Sequence, residues 1–395
     1  MQVYILDPNY EILCMIDESE SVLWNKKFND VGECEIYIPC NVEHLSMLRR
    51  GHYIYRFDDD MFCKIERVEI ETDAENGDFI IATAKDICNI LAGRIVRWQI
   101  VFSGTVGQFV KKVLTDNVIN PEQSQRAIPN FVFDDSNISE FSEKIEVSSF
   151  AEDLLHTIST TCKTYNIGFR VSYNMETRKL VFRLLRGKNK ASTTGGEYIE
   201  FSPAFANILT SNYSEDDSEY KNVVYVGYQG TDEKTYLLSL FKGDAEPQGE
   251  ARREIYVDGT KISRDITLEE LQVMFPDLNK IESAYYSTID GTLTAVALSD
   301  TSGKEEKITV TDFTYLLLIR AVGENALAEQ VRTQSFEGDV DTIDTYEYKT
   351  DYDIGDIVKV RNEYGIEAEA QITEVMESDD AESGYSIEPK FQYLN

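Results

Sequence analysis

The sequence predicts an α+β chain dominated by β-structure, with strands at both ends and an alternation of helices and strands between them. Three observations carry this expectation. Hydrophobic residues make up 42% of the 395 positions and aromatics 11%, mostly 23 Tyr and 19 Phe, a composition suited to pleated, half-buried surfaces. Short apolar or alternating runs recur along residues 1–100, separated by turn residues, as in a barrel or sandwich. The length exceeds one ordinary domain and implies roughly two to four.

Taken in order, VYILD, EILCMID, SVLWNKKF, ECEIYIP, YIYRFDD, MFCKIERVEIETD and FIIATAKD read as strands. Asp7-Pro8-Asn9, Asp30-Val31-Gly32 and Glu75-Asn76-Gly77-Asp78 punctuate them. A short helix is expected in NVEHLSMLRRG, closed by Gly51. Residues 101–200 form a mixed α/β module. Thr105 and Gln108 have the capping-box pattern ahead of a helix reaching about Ile119, and Ser149 and Glu152 repeat it before DLLHTISTTCKTY. IGFRVSYN and KLVFRLLRG, joined by Met175 to Arg178, read as a hairpin.

Strands resume from Asn207, and KNKASTTGGEY and KGDAEPQGEARRE read as loops. Residues 233–334 form an α/β segment: Thr267 and Glu270 cap a short helix, Asp290-Gly291 joins two strands, and FTYLLLIRAVGENALAEQVRTQ is the longest helical run, with Gly323 a possible break. Residues 335–395 are strands. They include DYDIGDIVKVRNEYGIEAEAQITEVMES, where the Gly355-Asp356 turn leads into a strand 357–361 that reverses at Tyr364-Gly365 and pairs with 367–375.

Charge excludes one class of function. There are 71 acidic and 38 basic residues, a formal net charge of −33, whereas gripping a phosphate backbone requires clustered Lys and Arg. The acids read as a solvated surface, or as the lining of a passage through which a polyanion slides without adsorbing. The cysteines at 14, 34, 40, 63, 88 and 162 have no metal or redox spacing and read as small buried apolar residues in a reducing compartment. The N-terminus lacks the pattern of a signal peptide and no run is long enough to span a membrane, so a chain made and kept in the cytosol is expected.

No catalytic, cofactor or metal residues are assigned. His44, His52 and His156 have no partners at ligand spacing, and there is no GxSxG, phosphate loop, GxGxxG or HExxH motif. Asp58-Asp59-Asp60, Asp134-Asp135 and the Asp351, Asp353 and Asp356 set are acidic enough to attract a hard cation, yet none has the regular calcium-loop spacing. Charged turns explain them.

Several segments together resemble the baseplate hub, or tail-associated (Tal-like), proteins of tailed phages and phage-tail-like bacteriocins. They are Ser21-Val22-Leu23-Trp24, then Asn29, Gly32 and the strand Glu33 to Pro39. In the middle stand Asn222 to Tyr228, Arg252-Arg253-Glu254 and Val257-Asp258. Toward the end come a helix Ala326 to Gln334, a strand Ser335 to Asp339, Tyr352, Ile354 to Val358, Tyr364-Gly365-Ile366 and Ile372 to Val375. Their order over the chain carries the resemblance, which covers residues 101–200 least.

The resemblance implies two tail-tube-like β-barrel domains with inserted smaller α/β modules, the first formed by 1–100 and completed by 201–232, the second ending with 335–395. It implies a homotrimer whose ring continues and closes the tail tube, passing DNA through an acidic lumen if the particle is a true phage. The implied partners are a distal tail or tube protein, the tape-measure C-terminus, and a spike, fibre or receptor-binding protein. The implied location is the virion tail tip or baseplate, assembled in the host cytoplasm, with no stable membrane insertion. Relatives often carry a hydrolase or receptor-binding extension; this sequence stops at Asn395, soon after the hairpin, and is expected to be a bare, non-enzymatic hub. The alternatives are a cell-wall hydrolase with a catalytic pair hidden among the acids, or a glycan-binding adhesin using exposed Tyr and Trp98.

Overall fold

The computed structural model describes residues 1–16, 19–73, 77–192, 198–205, 207, 212–299, 307–337 and 346–393. The turn expected at Glu75-Asn76, the Gly-rich part of the loop at 193–197, and residues 338–339 of the expected strand 335–339 lie outside them.

The first hundred residues give β1(Val3–Leu6), β2(Ile12–Ile16), β3(Ser21–Lys27), β4(Glu33–Pro39), helix α1(Val42–Met47), β5(Tyr53–Tyr55), β6(Phe62–Asp73) and β7(Gly77–Asp86). All seven alternating segments are strands, paired antiparallel in the order β3-β4-β7-β6-β5-β1-β2. Period-2 alternation turns Val22, Trp24, Cys34, Ile36, Ile38, Ile80, Ala82 and Ala84 into one core. Helix α1 is shorter than expected. Its cap is Leu48, and Gly51, at φ +91°, lies in the turn beyond.

The middle module contains β8(Ile100–Thr105), α2(Val106–Leu114), β9(Phe131–Phe133), β10(Lys144–Ser149), α3(Leu154–Thr164), β11(Gly168–Asn174) and β12(Lys179–Leu185). The reciprocal Thr105 and Gln108 capping box forms as expected, and β11 and β12 are the expected hairpin. The second capping box does not form: Ser149 is held in β10 opposite Ile100, so Asp153 caps α3 by accepting from the His156 N–H. The module shares its core with the first strands. Tyr10 stacks between Tyr53 and Tyr173, and Phe62 stacks on the same two rings, with centroids 4.7–5.0 Å apart.

Two strands, β13(Glu200–Phe201) and β14(Asn212–Asp216), precede a second mixed region. In it, β15(Val223–Gln229), β16(Thr235–Phe241) and β17(Glu254–Asp258) form a three-stranded sheet. Beyond it, β18(Asp265–Thr267), helix α4(Leu268–Met274), β19(Asn279–Ile281), β20(Ala284–Ile289), β21(Thr292–Ser299) and β22(Lys307–Val310) give a sheet in the order β18-β22-β21-β20-β19. The β20-β21 turn places Asp290 and Gly291 both at positive φ, the geometry a two-residue hairpin requires.

Helix α5(Asp312–Glu329) runs unbroken through Gly323. A Cβ there would lie 2.7 Å from Leu240 and 2.8 Å from Val226, so glycine lets the helix approach β15 and β16. Gly323→Ala is therefore expected to lower unfolding stability by about 1 kcal/mol, overpacking outweighing the helix-propensity gain. Urea unfolding checks this, and a stabilised variant would contradict it.

The C-terminal strands are β23(Thr333–Glu337), β24(Ile357–Arg361), β25(Glu367–Asp380) and β26(Gly384–Tyr393). The closing hairpin forms as expected, with Ile357 opposite Gln371, Arg361 opposite Glu367, and Val358 and Val360 fully buried. Strand β25 then continues past its hairpin partner and pairs with β3, Glu374 opposite Lys27 through Asp380 opposite Ser21.

Two expectations are corrected here. First, the two ends of the chain join in one thirteen-stranded sheet whose main path runs from β14 to β2 without closing; among the described residues, no sheet closes into a barrel. The physical reason is the length of β25, which serves both halves instead of letting each close on itself. Second, the strands of 201–232 do not pair with those of 1–100. β13 pairs with β24 and β14 with β23, while β15 belongs to the separate three-stranded sheet. Each half nevertheless packs its own core, the C-terminal one around Phe201, Phe336, Tyr352 and Phe391.

Candidate functional site

The three sequence-distant parts of the chain meet at Phe28, the residue that follows β3. Its ring is fully buried. Its N–H donates to the Thr373 carbonyl and its own carbonyl accepts from the Phe169 N–H, so its backbone ties β25 to β11. Glycines surround the ring because nothing larger fits. A Cβ on Gly168 or on Gly355 would come within 2.3 Å of it, and a Cβ on Gly187 would fall 1.6 Å from the Gly355 carbonyl oxygen. Gly355 also adopts φ +93°, which side-chain-bearing residues adopt at a cost.

Beside this joint lies a network of charges, most of them buried or half-buried and Asp58 exposed. The Lys26 ammonium lies 3.2 Å from Asp59 and 2.9 Å from Asp60. Arg56 pairs with Asp58 at 2.7 Å and with Glu377 at 3.1 Å, and Lys349 reaches Asp59 at 2.7 Å. Arg170 of β11 binds Asp86 at 2.9 Å, both almost wholly buried, and donates to the Lys27 carbonyl. Four cations from four segments thus meet the Asp58-Asp59-Asp60 turn, Asp86 and Glu377. Removing one member of such a set leaves an unpaired buried charge.

The titration of these groups follows from their surroundings. Burial alone would raise the Asp59 carboxyl, but Lys26 and Lys349 hold it well below the ordinary carboxylate range. Asp60 is lowered likewise, against burial, by Lys26 and Arg170. Asp86 and Asp353 go the other way, pushed up by burial. A carboxyl whose folded pKa is depressed gives stability present above its unfolded value and lost as pH falls through the folded one. Asp59→Asn is thus expected to cost about 3 kcal/mol at pH 7. The difference from wild type should shrink once pH drops below about 4. Urea unfolding from pH 7 to 2.5 measures it; a pH-independent difference would refute the role of Asp59.

The remaining acids singled out in the sequence also have structural partners. Asp134 accepts from the Ser136 N–H and Asp135 pairs with Lys111. Asp351 accepts from the Glu347 N–H. Asp356 accepts from the Lys188 and Asp353 N–H groups and pairs with Lys190, so it braces the hairpin turn. Among the described residues no group of three or more His, Cys, Asp or Glu is placed to hold a metal ion. His44 and His52 contact backbone carbonyls at 2.8 and 2.7 Å, and His156 is exposed on α3. Cys34, Cys63, Cys88 and Cys162 are buried. Trp98 is exposed, with the Arg97 guanidinium over its ring.

Sequence reading missed Phe28, Lys26, Arg56, Arg170 and Lys349. Their partners lie far along the chain, where no local pattern points to them.

A β-rich chain whose ends share one sheet, with mixed modules inserted and a charge-stapled joint between them, is similar in fold to phage tail proteins. The tail protein from Neisseria meningitidis MC58 superposes with a TM-score of 0.51 at 12% identity, covering 99% of this chain and 96% of that one. The 43 kDa tail protein of prophage MuSo2 from Shewanella oneidensis gives 0.49 at 9% identity, covering 99% and 98%. Prophage tail protein gp18 from Listeria monocytogenes EGD-e gives 0.45 at 14%, covering 99% and 94%. At these identities the likeness concerns the fold alone. No curated protein sequence matches. The chain thereby has a fold of the kind seen in a phage tail protein. It belongs to the Siphovirus ReqiPepy6 Gp37-like protein family, whose model matches residues 2–391.

Proposed function

We propose that this chain is the hub of a tail tip or baseplate, a homotrimer whose ring continues and closes the tail tube. The observation that supports this reading is the single sheet in which the first and last strands of the chain are joined through β25 and β3, with β2 and β14 as its edges among the described residues. Open edges invite strand pairing unless covered, and β2 exposes Ile12, Leu13 and Met15. Ring formation covers such edges. In the ring, residues 1–100 and the strands around 335–395 form two lobes of one sheet, each packed on its own core, while 101–200 and 233–334 form the outer modules.

Above, the hub meets a distal tail or tube protein and the tape-measure C-terminus; below, it meets a spike, fibre or receptor-binding protein. It is assembled in the host cytoplasm and resides at the virion tail tip. The solvent face of β4, β7 and β6 carries Glu33, Glu35, Glu69 and Glu71 beside Lys64, Arg67 and Lys85, with Arg67 paired to Glu69. An acidic lumen would therefore draw on the chain's wider excess of 71 acidic over 38 basic residues, whose carboxylates repel DNA phosphates during passage. Native mass spectrometry of the chain tests the assembly: a mass of three copies is expected, and a monomer at micromolar concentration would overturn the trimer.

A further inference from the structure

We propose that the cleft at Trp98 binds a neutral saccharide, stacked on the indole and held by hydrogen bonds from its hydroxyls to charged side chains in the walls. This goes beyond the hub reading and does not depend on the trimer. The cleft is lined by Trp98, Asp116 and Arg126 of the middle module and by Asp265, Glu269 and Val273 around the start of α4. Its volume is about 710 Å³, a size typical of small-ligand sites.

Of the two tryptophans, Trp24 is fully buried and Trp98 is 58% exposed. An indole left in water forgoes the stabilisation that its large apolar area would supply on burial. This one is nevertheless fixed. Its N–H donates to Glu122 Oε2 at 3.3 Å, the oxygen that also accepts from Arg97 at 2.9 Å, and the Arg97 guanidinium lies 4.4 Å from the ring centroid. Arg97 is anchored in turn: its backbone N–H donates to the side-chain oxygen of Asn117, which is itself buried and donates to the Val113 carbonyl. The exposed ring is thus held in place before any ligand arrives, which lowers the ordering cost of binding. Arg97 covers one face, and the other is free to stack on the C–H face of a pyranose ring.

The charges point to a neutral ligand. Four cationic side chains and five carboxylates line the cleft, a near balance in a chain of net charge −33. Most are already engaged within the chain. Arg97 pairs with Glu122 and Lys112 with Asp116, each at 2.9 Å, while Asp265 accepts from the Thr309 hydroxyl and Glu270 from the Thr267 N–H. Arg126 donates to the Ile95 carbonyl. A phosphate or an ammonium would find little counter-charge to spare. A wholly apolar ligand would strip water from these ion pairs and return no hydrogen bonds. A hydroxyl both donates and accepts, and a carboxylate in one ion pair keeps further lone pairs, so a polyhydroxylated ring adds to the network without adding charge. Phe150, 39% exposed, and Val273 supply further apolar surface in the lining.

Saturation-transfer NMR of the full chain tests this, with maltotriose, galactotriose, chitotriose and a rhamnose disaccharide as neutral probes and sialyllactose, mannose phosphate and phosphocholine as charged ones. At least one neutral probe should bind with a dissociation constant of about 1 mM or tighter. Raising the salt from about 0.05 to about 0.5 M should leave that constant unchanged, because no net charge is involved. Trp98→Ala, at an exposed position, should weaken binding at least about tenfold with no change in the urea unfolding midpoint, and Trp98→Tyr should recover part of the affinity. Binding of no neutral probe, binding confined to the charged probes, a marked salt dependence, or full affinity in Trp98→Ala would each overturn the proposal. None of these results bears on the number of copies in the ring.

Discussion

Gly355→Val is expected to destabilise the chain by more than about 3 kcal/mol, enough to prevent folding or ring assembly at 37 °C. Two penalties combine. At φ +93° any side chain pays about 1–2 kcal/mol of backbone strain, more for a β-branched one. The new Cβ would also sit 2.3 Å from the Phe28 ring. That ring cannot retreat, because Gly168 already lies against its same edge and Thr373 and Phe169 hold its backbone. Overpacking of this kind adds about 1–3 kcal/mol. Gly365, in the reversal of the same hairpin, supplies the control. It has φ +81° but nothing within 4 Å of the place a Cβ would take, so Gly365→Ala is expected to cost only the strain of about 1 kcal/mol. Equal losses for the two variants, read by urea unfolding, would refute the role of Phe28.

Arg170→Met is expected to cost about 3–5 kcal/mol, because Asp86 would stay buried without its cation and Asp60 would lose part of its support. Asp86→Ala should also be costly, since that carboxylate additionally accepts from the Cys88 N–H at 3.0 Å. The double variant should be less damaging than the two single losses added together, as a coupled pair requires. Unfolding should be driven by urea, because an ionic denaturant would screen the less buried members of the network. Strict additivity would show that Arg170 and Asp86 do not act as a pair.

The sequence made the local structure legible and left the long-range structure hidden. The seven N-terminal strands, the Thr105 and Thr267 caps and the 357–375 hairpin were readable because period-2 alternation, capping boxes and turn glycines are local signals. Gly323 read as a possible helix break, yet it serves close packing, which depends on Leu240 of β16 and Val226 of β15. The Asp58-Asp59-Asp60 turn read as a charged loop. Its partner Lys349 lies 291 positions from Asp58, and Glu377, which shares the Arg56 guanidinium with Asp58, lies 321 positions from Arg56, so their meeting could not be seen without the β25-β3 pairing. The same pairing explains the open sheet: barrel closure was inferred from strand count and resemblance, and neither reports which edge a long strand will choose.

The most direct test of the hub reading is an electron-microscopy map of a tail tip containing this chain. Three copies should form a ring coaxial with the tube, with acidic side chains outnumbering basic ones on its lumen face. A single copy, or a ring whose lumen is neutral or basic, would contradict the account.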